Sequence, residues 1–565
     1  MSSPRIHTND PQFSASAAAF RTQLREFAAR HLHAATVPSR FVVLPGLPKL
    51  PNGKIDRKQL AALPVEGGRD REFVAPETPE EIQLAQIWAD LLNTSQIGLH
   101  DHFFEIGGNS LTVVQMVARL RAETGVAINL RTFLENPTLA NLGRLVHGKS
   151  RALAGPAQLG ARSISPEEML GDARLPADIA PQAGAAPPAG PPYASVFVTG
   201  GTGYTGAFLL RELIDRSAAQ LHVLTRGSSP DHALSRIRAA MQQYGVWRDG
   251  DAQRITAVVG DLARPYLGLD RATYLGLAET AELIIHNGAL ASYALPYRRL
   301  KAINVLGTRE VLRLACRTRI KPVHYVSSLA VYPAQPGTPR WQEDDLRDPT
   351  GISGGYRQTK WVGDAMMSEA RRRGVPTSVY RAGLITGAQT TGACTTDTFI
   401  NAAIKGAIQL GVMVSIETAS EVVPVDFCAA AIAHIALGGA WHGAVFNVAG
   451  SRTMRSSELL GYLAEYGYAL RDVSYGEWYR LMAQAVDRGD DNELTRFFPL
   501  FSEGAPSDEV GYFPGSRPSY DMTHLHAALA GSGIACADPD RALWRRYLDW
   551  FIASGFLPAP PQGPR

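Results

Sequence analysis

The stretch Val198-Thr-Gly-Gly-Thr-Gly-Tyr-Thr-Gly206 decides the fold of the largest part of this chain. It contains the spacing Gly201-x-Gly203-x-x-Gly206, which closes an apolar run and opens a helical pattern near Thr205. The glycines permit a tight turn and a close backbone approach, and the amides of the helix start can face a pyrophosphate. Strand, loop and helix in this order predict a dinucleotide-binding unit, whereas three glycines alone are more often an ordinary turn.

Short runs rich in Val and Ile alternate with helical patterns from Ser195 onward. The predicted strands are Val196 to Thr199, Leu221 to Thr225, Thr256 to Val259, Leu283 to His286, Val323 to Ser327 and Ser378 to Arg381. Such alternation is typical of a parallel sheet wrapped by helices. We therefore expect a Rossmann-type α/β domain over residues 193–560, with a smaller, mainly helical subdomain toward the C-terminus.

Composition and charge exclude several classes of protein. The 56 Lys and Arg residues nearly balance the 53 Asp and Glu residues over 565 positions, without a run of five basic residues, so nucleic acid is not an expected partner. No apolar run reaches the roughly 18 residues that span a membrane. Cysteines occur only at 316, 394, 428 and 536, which argues against a metal site or a disulfide framework. We expect a protein of the reducing cytoplasm that binds no metal and no membrane.

Two breaks in composition divide the chain, whose length suggests three or four domains. The first lies near residues 64–78. The second spans residues 149–192 and ends in a Pro, Ala and Gly tract over 181–192 that cannot hold helix or strand, so we interpret it as a flexible linker. Residues 76–148 have apolar residues at helical spacing, which predicts a helical bundle. Residues 1–66 are too short for an independent enzyme.

Arg226 follows the second predicted strand, about twenty residues after the glycine motif, where NAD enzymes place a carboxylate for the ribose 2′-hydroxyl. A guanidinium grips phosphate with two donors where a carboxylate would repel it, so Arg226 favours NADP(H) over NAD(H). A solvated arginine at a strand end is the alternative. Arg236 and Arg238 are further candidates that a charged helix face explains equally well.

Other predicted cofactor contacts lie at the carboxyl ends of strands, where ligands of parallel sheets collect. Asp261 follows the third strand and could face the adenine, while His286-Asn-Gly-Ala289 ends the fourth beside the expected nicotinamide path. With the glycine motif, the predicted cofactor-binding set is Gly200, Thr202, Gly203, Tyr204, Thr205, Gly206, Arg226, Arg236, Asp261, Leu262, Asn287 and Ala289.

Tyr356 and Lys360 are four residues apart in a helical pattern, so they share one face. A phenol has a pKa near 10, and a cation within about 4 to 6 Å lowers that pKa toward the range useful for a proton donor. Most such pairs are surface helix. Here the pair follows the strand that ends in Ser327-Ser328, whose hydroxyl groups can donate to a substrate oxygen.

These motifs resemble the extended short-chain dehydrogenase/reductases, and more narrowly the thioester reductase domains that end some nonribosomal peptide synthetases and carboxylic acid reductases. The similarity runs from about residue 175 to the end. It includes Val259-Gly-Asp-Leu-Ala-Arg-Pro265, Asn304-Val-Leu-Gly-Thr308, Gly355-Tyr-Arg-Gln-Thr-Lys360 and Tyr380-Arg-Ala-Gly-Leu-Ile-Thr-Gly387.

This resemblance implies a catalytic hydroxyl, a tyrosine and a lysine. They fall on Ser328, Tyr356 and Lys360, with Ser327 as the competing hydroxyl. It also implies that Asn304 lies near the cofactor.

Residues 76–148 resemble a peptidyl carrier domain through Asp101-His-Phe-Phe-Glu-Ile-Gly-Gly-Asn-Ser-Leu111. The resemblance implies a 4′-phosphopantetheine arm on Ser110, attached by a phosphopantetheinyl transferase; without it, a plain helix cap is the simpler interpretation of this serine. Residues 1–66 resemble the end of an adenylation domain, with Lys54 at the family's catalytic lysine. We expect no adenylation from this sequence alone, so that either upstream modules or a separate partner supply it or the sequence is truncated.

Together these features predict reductive release of a carrier-bound acyl or peptidyl thioester as an aldehyde with NADPH, further reduction to an alcohol being open. A non-reductive, ring-closing release domain is one alternative, which the intact Tyr356 and Lys360 disfavour. A nucleotide-sugar epimerase or dehydratase is another, although free sugars need no tether. A carrier or docking protein with an inactive reductase is a third, distinguished by an absence of cofactor binding.

Overall fold

The structure is a computed structural model of the chain. It describes residues 74–92, scattered positions from 94 to 133, residues 137–149 and residues 163–561, the last with gaps at 182–183, 294, 334–339, 345, 347, 415–418, 489, 496–497 and 499–518. Two compact units divide the chain: residues 1–156 with 485–490, and residues 157–484 with 491–565. The predicted adenylation tail with Lys54, and the predicted attachment residue Ser110, lie outside the described residues.

The smaller unit contains helices α1 (Pro79–Leu92) and α2 (Leu139–Lys149). The hydroxyl of Thr78 accepts from the Glu81 amide at 3.2 Å, and the Glu81 carboxylate accepts from the Thr78 amide at 3.1 Å, so a reciprocal cap starts α1. Trp88 on this helix is fully buried and meets the ring of Phe103 edge-on, with centroids 4.8 Å apart. The described part of this unit therefore has a small aromatic core beneath its helices.

The strands of the larger unit form one main sheet and three short ones. In chain order they are β1 Ser195–Thr199, β2 Gln220–Thr225, β3 Ile255–Val259, β4 Leu283–His286, β5 Val323–Ser328, β6 Arg340–Trp341, β7 Thr377–Ala382, β8 Leu384–Thr386, β9 Val412–Val414, β10 Ala419–Pro424, β11 Val445–Val448, β12 Thr453–Arg455, β13 Arg471–Val473 and β14 Ser519–Tyr520.

Helices connect most of these strands. They are α3 Pro166–Ala173, α4 Tyr204–Arg216, α5 Pro230–Gln243, α6 Asp251–Arg254, α7 Arg271–Thr280, α8 Tyr297–Lys301, α9 Gly307–Cys316, α10 Gly355–Arg372, α11 Phe399–Leu410, α12 Val425–Gly438, α13 Ser456–Tyr466, α14 Tyr475–Arg488, α15 Thr523–Leu529 and α16 Arg541–Ala553.

Within the described residues the main sheet has seven strands in the order β3-β2-β1-β4-β5-β7-β11, and all neighbours are parallel. Successive side chains of β1 enter different cores: Phe197 packs with α9 and α10, whereas Val196 and Val198 pack with α4 and α12. Because both faces are covered, the central strands β1, β4, β5 and β7 are almost wholly buried. The predicted Rossmann-type sheet is confirmed.

The C-terminal part of this unit is mainly helical, as predicted. Helices α11, α13 and α16 share a core around Trp544 and Tyr547. Over the described ranges, none of the helices combines the length and apolar character needed to cross a bilayer. The same ranges contain no cluster of His, Cys, Asp and Glu suited to a metal ion.

The predicted linker over residues 149–192 needs correction from residue 163 onward. Helix α3 lies inside it, and the carboxylate of Asp172 accepts hydrogen bonds from Tyr297 Oη and Lys301 Nζ, both at 2.7 Å. The side-chain amide of Gln358 in α10 bonds the backbone N and O of Ile164 at 2.9 and 2.8 Å. The composition of the Pro-rich tract suggested flexibility, but the segment before it has enough buried apolar and charged contacts to fold onto the sheet domain.

Candidate active site

The glycine-rich loop joins β1 to α4 and leaves the start of that helix open. Gly203 is the exposed N-cap and makes no side-chain cap bond. Gly200 has φ +78°, and a Cβ atom on Gly206 would collide with the carbonyl oxygen of Gly200. The first amides of a helix have no partner within the helix, so the residues after Gly203 can bind an anion such as pyrophosphate. The loop therefore fits the dinucleotide predicted from its spacing.

Two arginines meet beyond the end of β2. Arg226 is exposed, and Arg236 from α5 donates to its backbone oxygen at 2.6 Å. Burial and the nearby charge of Arg226 both lower the pKa of Arg236. Among the described residues, no carboxylate forms an ion pair with either guanidinium, and the buried Oγ1 of Thr225 beside them has no hydrogen-bond partner. This uncompensated pair suits a phosphate group.

The loops after β3 and β4 lie against the glycine-rich loop. Asn287 donates to Gly200 O at 3.2 Å, and a Cβ atom on Gly288 would collide with the side chain of Leu262. The carboxylate of Asp261 accepts from the Ala263 amide at 2.9 Å and so shapes its own loop. The predicted residues at these three strand ends are thus brought together, and their contacts with a cofactor stay predictions.

Asn304 is buried in a π-helical turn, Ala302–Leu306. Its side-chain oxygen accepts from Leu290 N at 2.7 Å, and its side-chain nitrogen donates to Leu290 O and to Thr359 Oγ1, both at 3.1 Å. Both amide hydrogens are therefore used inside the protein. Asn304 thus ties the loop after β4 to helix α10, and its nearness to a cofactor stays a prediction.

Tyr356 and Lys360 lie on α10 as predicted, but their electrostatics differ from the prediction. Lys360 is buried, donates to Val326 O at 2.7 Å and lies 4.9 Å from the Tyr325 ring centroid; burial lowers its pKa to about 8. Burial, and secondarily Tyr293, raise the pKa of Tyr356. The predicted lowering by Lys360 is therefore wrong for this structure, because desolvation of the phenol outweighs any effect of an ammonium group held at a strand carbonyl.

The two candidate hydroxyls at the end of β5 have different surroundings. Ser327 is buried and donates to Asp364 at 3.1 Å, and Asp364 pairs with Arg381 at 2.9 Å. Ser328 is only partly buried, and its Oγ accepts from Ala330 N at 3.2 Å, which leaves the hydroxyl hydrogen available. Ser328 is thus the better supported candidate for a donor to substrate.

Tyr204 lies at the start of α4 as predicted, and its contact with a cofactor stays a prediction. Its hydroxyl is directed at the Thr386 and Ala393 carbonyl oxygens, at 2.7 and 3.0 Å, so only its backbone amide remains with the predicted pyrophosphate site. The sequence analysis did not identify Asp364 or Tyr293 as parts of the site. The ring centroid of Tyr293 lies 4.8 Å from that of Tyr356. Helical spacing from Lys360 could have pointed to Asp364, whereas no sequence signal marks Tyr293.

Comparisons with known families agree with the two cofactor predictions. Residues 198–432 match the family described as male sterility protein, a NAD-binding family, and residues 83–146 match the phosphopantetheine attachment site family. A nicotinamide dinucleotide and a phosphopantetheine arm are therefore confirmed as the cofactors of this chain's two families. The preference for NADP over NAD stays a prediction.

Known proteins with similar sequences or structures include multidomain synthetases and isolated domains. The chain is 34% identical to a linear gramicidin synthase of Brevibacillus parabrevis, over 94% of this chain and 10% of that protein. It is 34% identical to isonitrile lipopeptide synthase of Streptomyces coeruleorubidus, over 95% of this chain and 37% of that protein. The chain thus spans only a fraction of these relatives.

Among solved structures, the terminal R domain from the myxalamid PKS-NRPS biosynthetic pathway has 36% identity and a TM-score of 0.65, over 70% of this chain and 99% of that one. A thiolation-reductase di-domain from an archaeal non-ribosomal peptide synthetase has 19% identity and a TM-score of 0.64, over 86% of this chain and 100% of that one. The second likeness supports the fold alone.

Proposed function

Because this chain belongs to the family of terminal reductase domains of nonribosomal peptide synthetases, we propose that it reduces an acyl or peptidyl thioester carried on Ser110 to an aldehyde, with NADPH as reductant. The main support is the joining of two half-sites. Asn304 hydrogen-bonds both the loop after β4 and Thr359, one turn from Tyr356, so the dinucleotide loops and the proton donor belong to one rigid edge of the sheet.

The chain's own residues provide the parts of a cofactor site. The amides at the start of α4 would hold the pyrophosphate, and Arg226 with Arg236 would hold the 2′-phosphate. When bound, the dinucleotide supplies hydride to the thioester carbonyl carbon. The loops around Gly200 and Leu262 pack closely together beside this site.

Tyr356 and Ser328 act on the carbonyl oxygen of the substrate. The raised pKa of Tyr356 keeps it a phenol, so it can hydrogen-bond the oxygen and then deliver its proton as negative charge develops there. Ser328 donates a second hydrogen bond to the same oxygen. Lys360 fixes the neighbouring strand end through Val326 O and provides positive charge near the site. The resulting hemithioacetal returns its hydroxyl proton to the Tyr356 phenolate as the carbon–sulfur bond breaks. The departing sulfur takes a proton from solvent, so the aldehyde leaves the arm's thiol behind.

The proposal includes partners and location. A phosphopantetheinyl transferase would modify Ser110, and upstream synthetase modules or a separate adenylation protein would load the acyl group. A cytoplasmic location suits the four cysteines, none of which forms a disulfide.

The decisive experiment loads Ser110 enzymatically with a panel of acyl-pantetheines, adds NADPH and identifies the products by mass. We expect aldehyde or alcohol in step with NADPH oxidation, and neither with Ser110→Ala. Release of the free acid alone would refute reductive release. A cyclic product without NADPH consumption would favour the ring-closing alternative.

A further inference from the structure

Residues 386–394, here termed the bridging loop, connect β8 to the segment that leads into α11. The loop is closed on itself, because Ala388 N donates to Ala393 O at 2.9 Å and Gly392 N donates to Ala388 O at 2.8 Å. Most of it is buried. A compact buried loop of this kind transmits a displacement at one side to the other, since its interior hydrogen bonds resist local deformation.

One side of the bridging loop is held by the helix of the glycine motif. Tyr204 is the first residue of α4, and its hydroxyl shares its hydrogen between Thr386 O at 2.7 Å and Ala393 O at 3.0 Å. Its ring is fixed edge-on against Tyr244 and Phe208, with centroids 4.9 and 5.6 Å away. Burial raises its pKa, so the phenol keeps the hydrogen that makes these bonds.

The other side is held by α12 and by α16 of the C-terminal subdomain. The carboxylate of Asp426 accepts from the amides of Gln389 and Thr390 at 2.8 and 3.0 Å. Tyr547 in α16 donates to Gly387 O at 2.7 Å, and Arg546 donates to Gln389 O. These contacts connect the bridging loop to the helical C-terminal part, whereas Tyr204 connects it to the dinucleotide side.

We propose that Tyr204 is a positioning residue that couples dinucleotide binding to the order of the bridging loop. The backbone amide of Tyr204 lies at the helix start proposed to receive the pyrophosphate, and its hydroxyl hydrogen-bonds two carbonyl oxygens of the bridging loop. Fixing the first turn of α4 therefore fixes the two loop carbonyls as well. The inference rests on the proposed function, because it takes NADPH as the ligand of the glycine motif.

The test is hydrogen exchange of the full chain with and without NADPH, comparing wild type with Tyr204→Phe. In wild type, NADPH slows exchange of the Ala388 and Gly392 amides. In Tyr204→Phe this slowing is lost, and because the coupling is reciprocal, the Kd for NADPH rises, by about tenfold for one hydrogen bond.

Two variants separate coupling from general loosening. Tyr193→Phe removes a hydroxyl that bonds His442 at 2.6 Å outside the loop, and it should keep the wild-type response. Asp426→Asn weakens the opposite anchor, so it should speed loop exchange equally with and without NADPH. Equal NADPH-dependent protection in wild type and Tyr204→Phe would overturn the coupling. Failure of wild type to bind NADPH would instead overturn the proposed function, and the coupling with it.

Discussion

The candidate active site has two sides, the dinucleotide side around the glycine-rich loop and the proton-donor side around Tyr356, and they are built by different means. On the dinucleotide side, close main-chain contacts around Gly200 and Gly206 set the shape, and the charged residue Arg226 stays at the surface. On the proton-donor side, Lys360, Asp364 and Arg381 are 4%, 0% and 1% exposed. The dinucleotide side therefore depends on the small size of single residues. The proton-donor side depends on ion pairs and hydrogen bonds, because its charged groups are buried away from water.

The largest expected effect is on the proton-donor side. Tyr356→Phe keeps the ring contact with Tyr293 but removes the transferable proton, so kcat should fall by about 10²- to 10⁴-fold. The measurement is NADPH oxidation with acyl-loaded carrier, with dinucleotide affinity as the control for intact binding. An undiminished rate would remove Tyr356 from the mechanism.

On the dinucleotide side, Gly206→Ala should weaken NADPH binding. The new methyl group collides with Gly200 O, and overpacking typically costs about 1 to 3 kcal/mol. Because the strain falls on the binding loop, we expect Kd to rise about 10- to 100-fold. Gly276→Ala is the matched control, because no atom lies within 4 Å of its added Cβ in α7. If both variants bind equally well by fluorescence titration, main-chain proximity does not shape this side.

A smaller effect is expected where the dinucleotide side does use charge. Arg226→Gln should lower the preference for NADPH over NADH about tenfold, since hydrogen bonds to a charged phosphate are lost. Arg238→Gln is the control, because Arg238 lies over the Trp247 ring at 5.0 Å. The measurement is the ratio of kcat/KM for NADPH to that for NADH. An unaltered ratio would show that Arg226 is a solvated arginine without a role in cofactor preference.

A last effect concerns stability rather than activity, because a titratable group is buried on the dinucleotide side too. Burial, with a contribution from Lys360, lowers the pKa of His286 to about 3, and burial lowers that of His324. The unfolded state therefore binds protons that the folded state does not. The stabilisation is complete above about pH 6.5 and is lost as pH falls, at about 1.4 kcal/mol per pH unit for each such imidazole.

Urea unfolding at pH 7, 6 and 5 measures this loss. Replacing His286, which bonds Thr199 and Thr308 at 2.7 and 2.9 Å, with Asn should flatten the profile by one proton. A free energy of unfolding that stays constant from pH 7 to 5 would contradict neutral burial of these histidines.

The same contrast explains what the sequence could predict. The glycine spacing and six of the strands were recognisable because they depend on neighbouring residues. The edge strand β11 was missed because the polar Asn447 interrupts its short apolar run. The Ser327–Asp364–Arg381 contacts join three separate segments, β5, α10 and β7. No local pattern predicts such pairing, nor that the pKa of Tyr356 rises.

The fold of residues 163–180 onto helix α10 determines where a recombinant reductase should be cut. Met169, Leu175 and Ile179 are 0%, 5% and 1% exposed, so a protein starting at residue 193 would present their former cavity to water and be prone to aggregation. It would also leave Lys301 without the carboxylate of Asp172. A recombinant reductase should therefore begin before Ser163, whose hydroxyl accepts a hydrogen bond from the Gly354 amide just before helix α10.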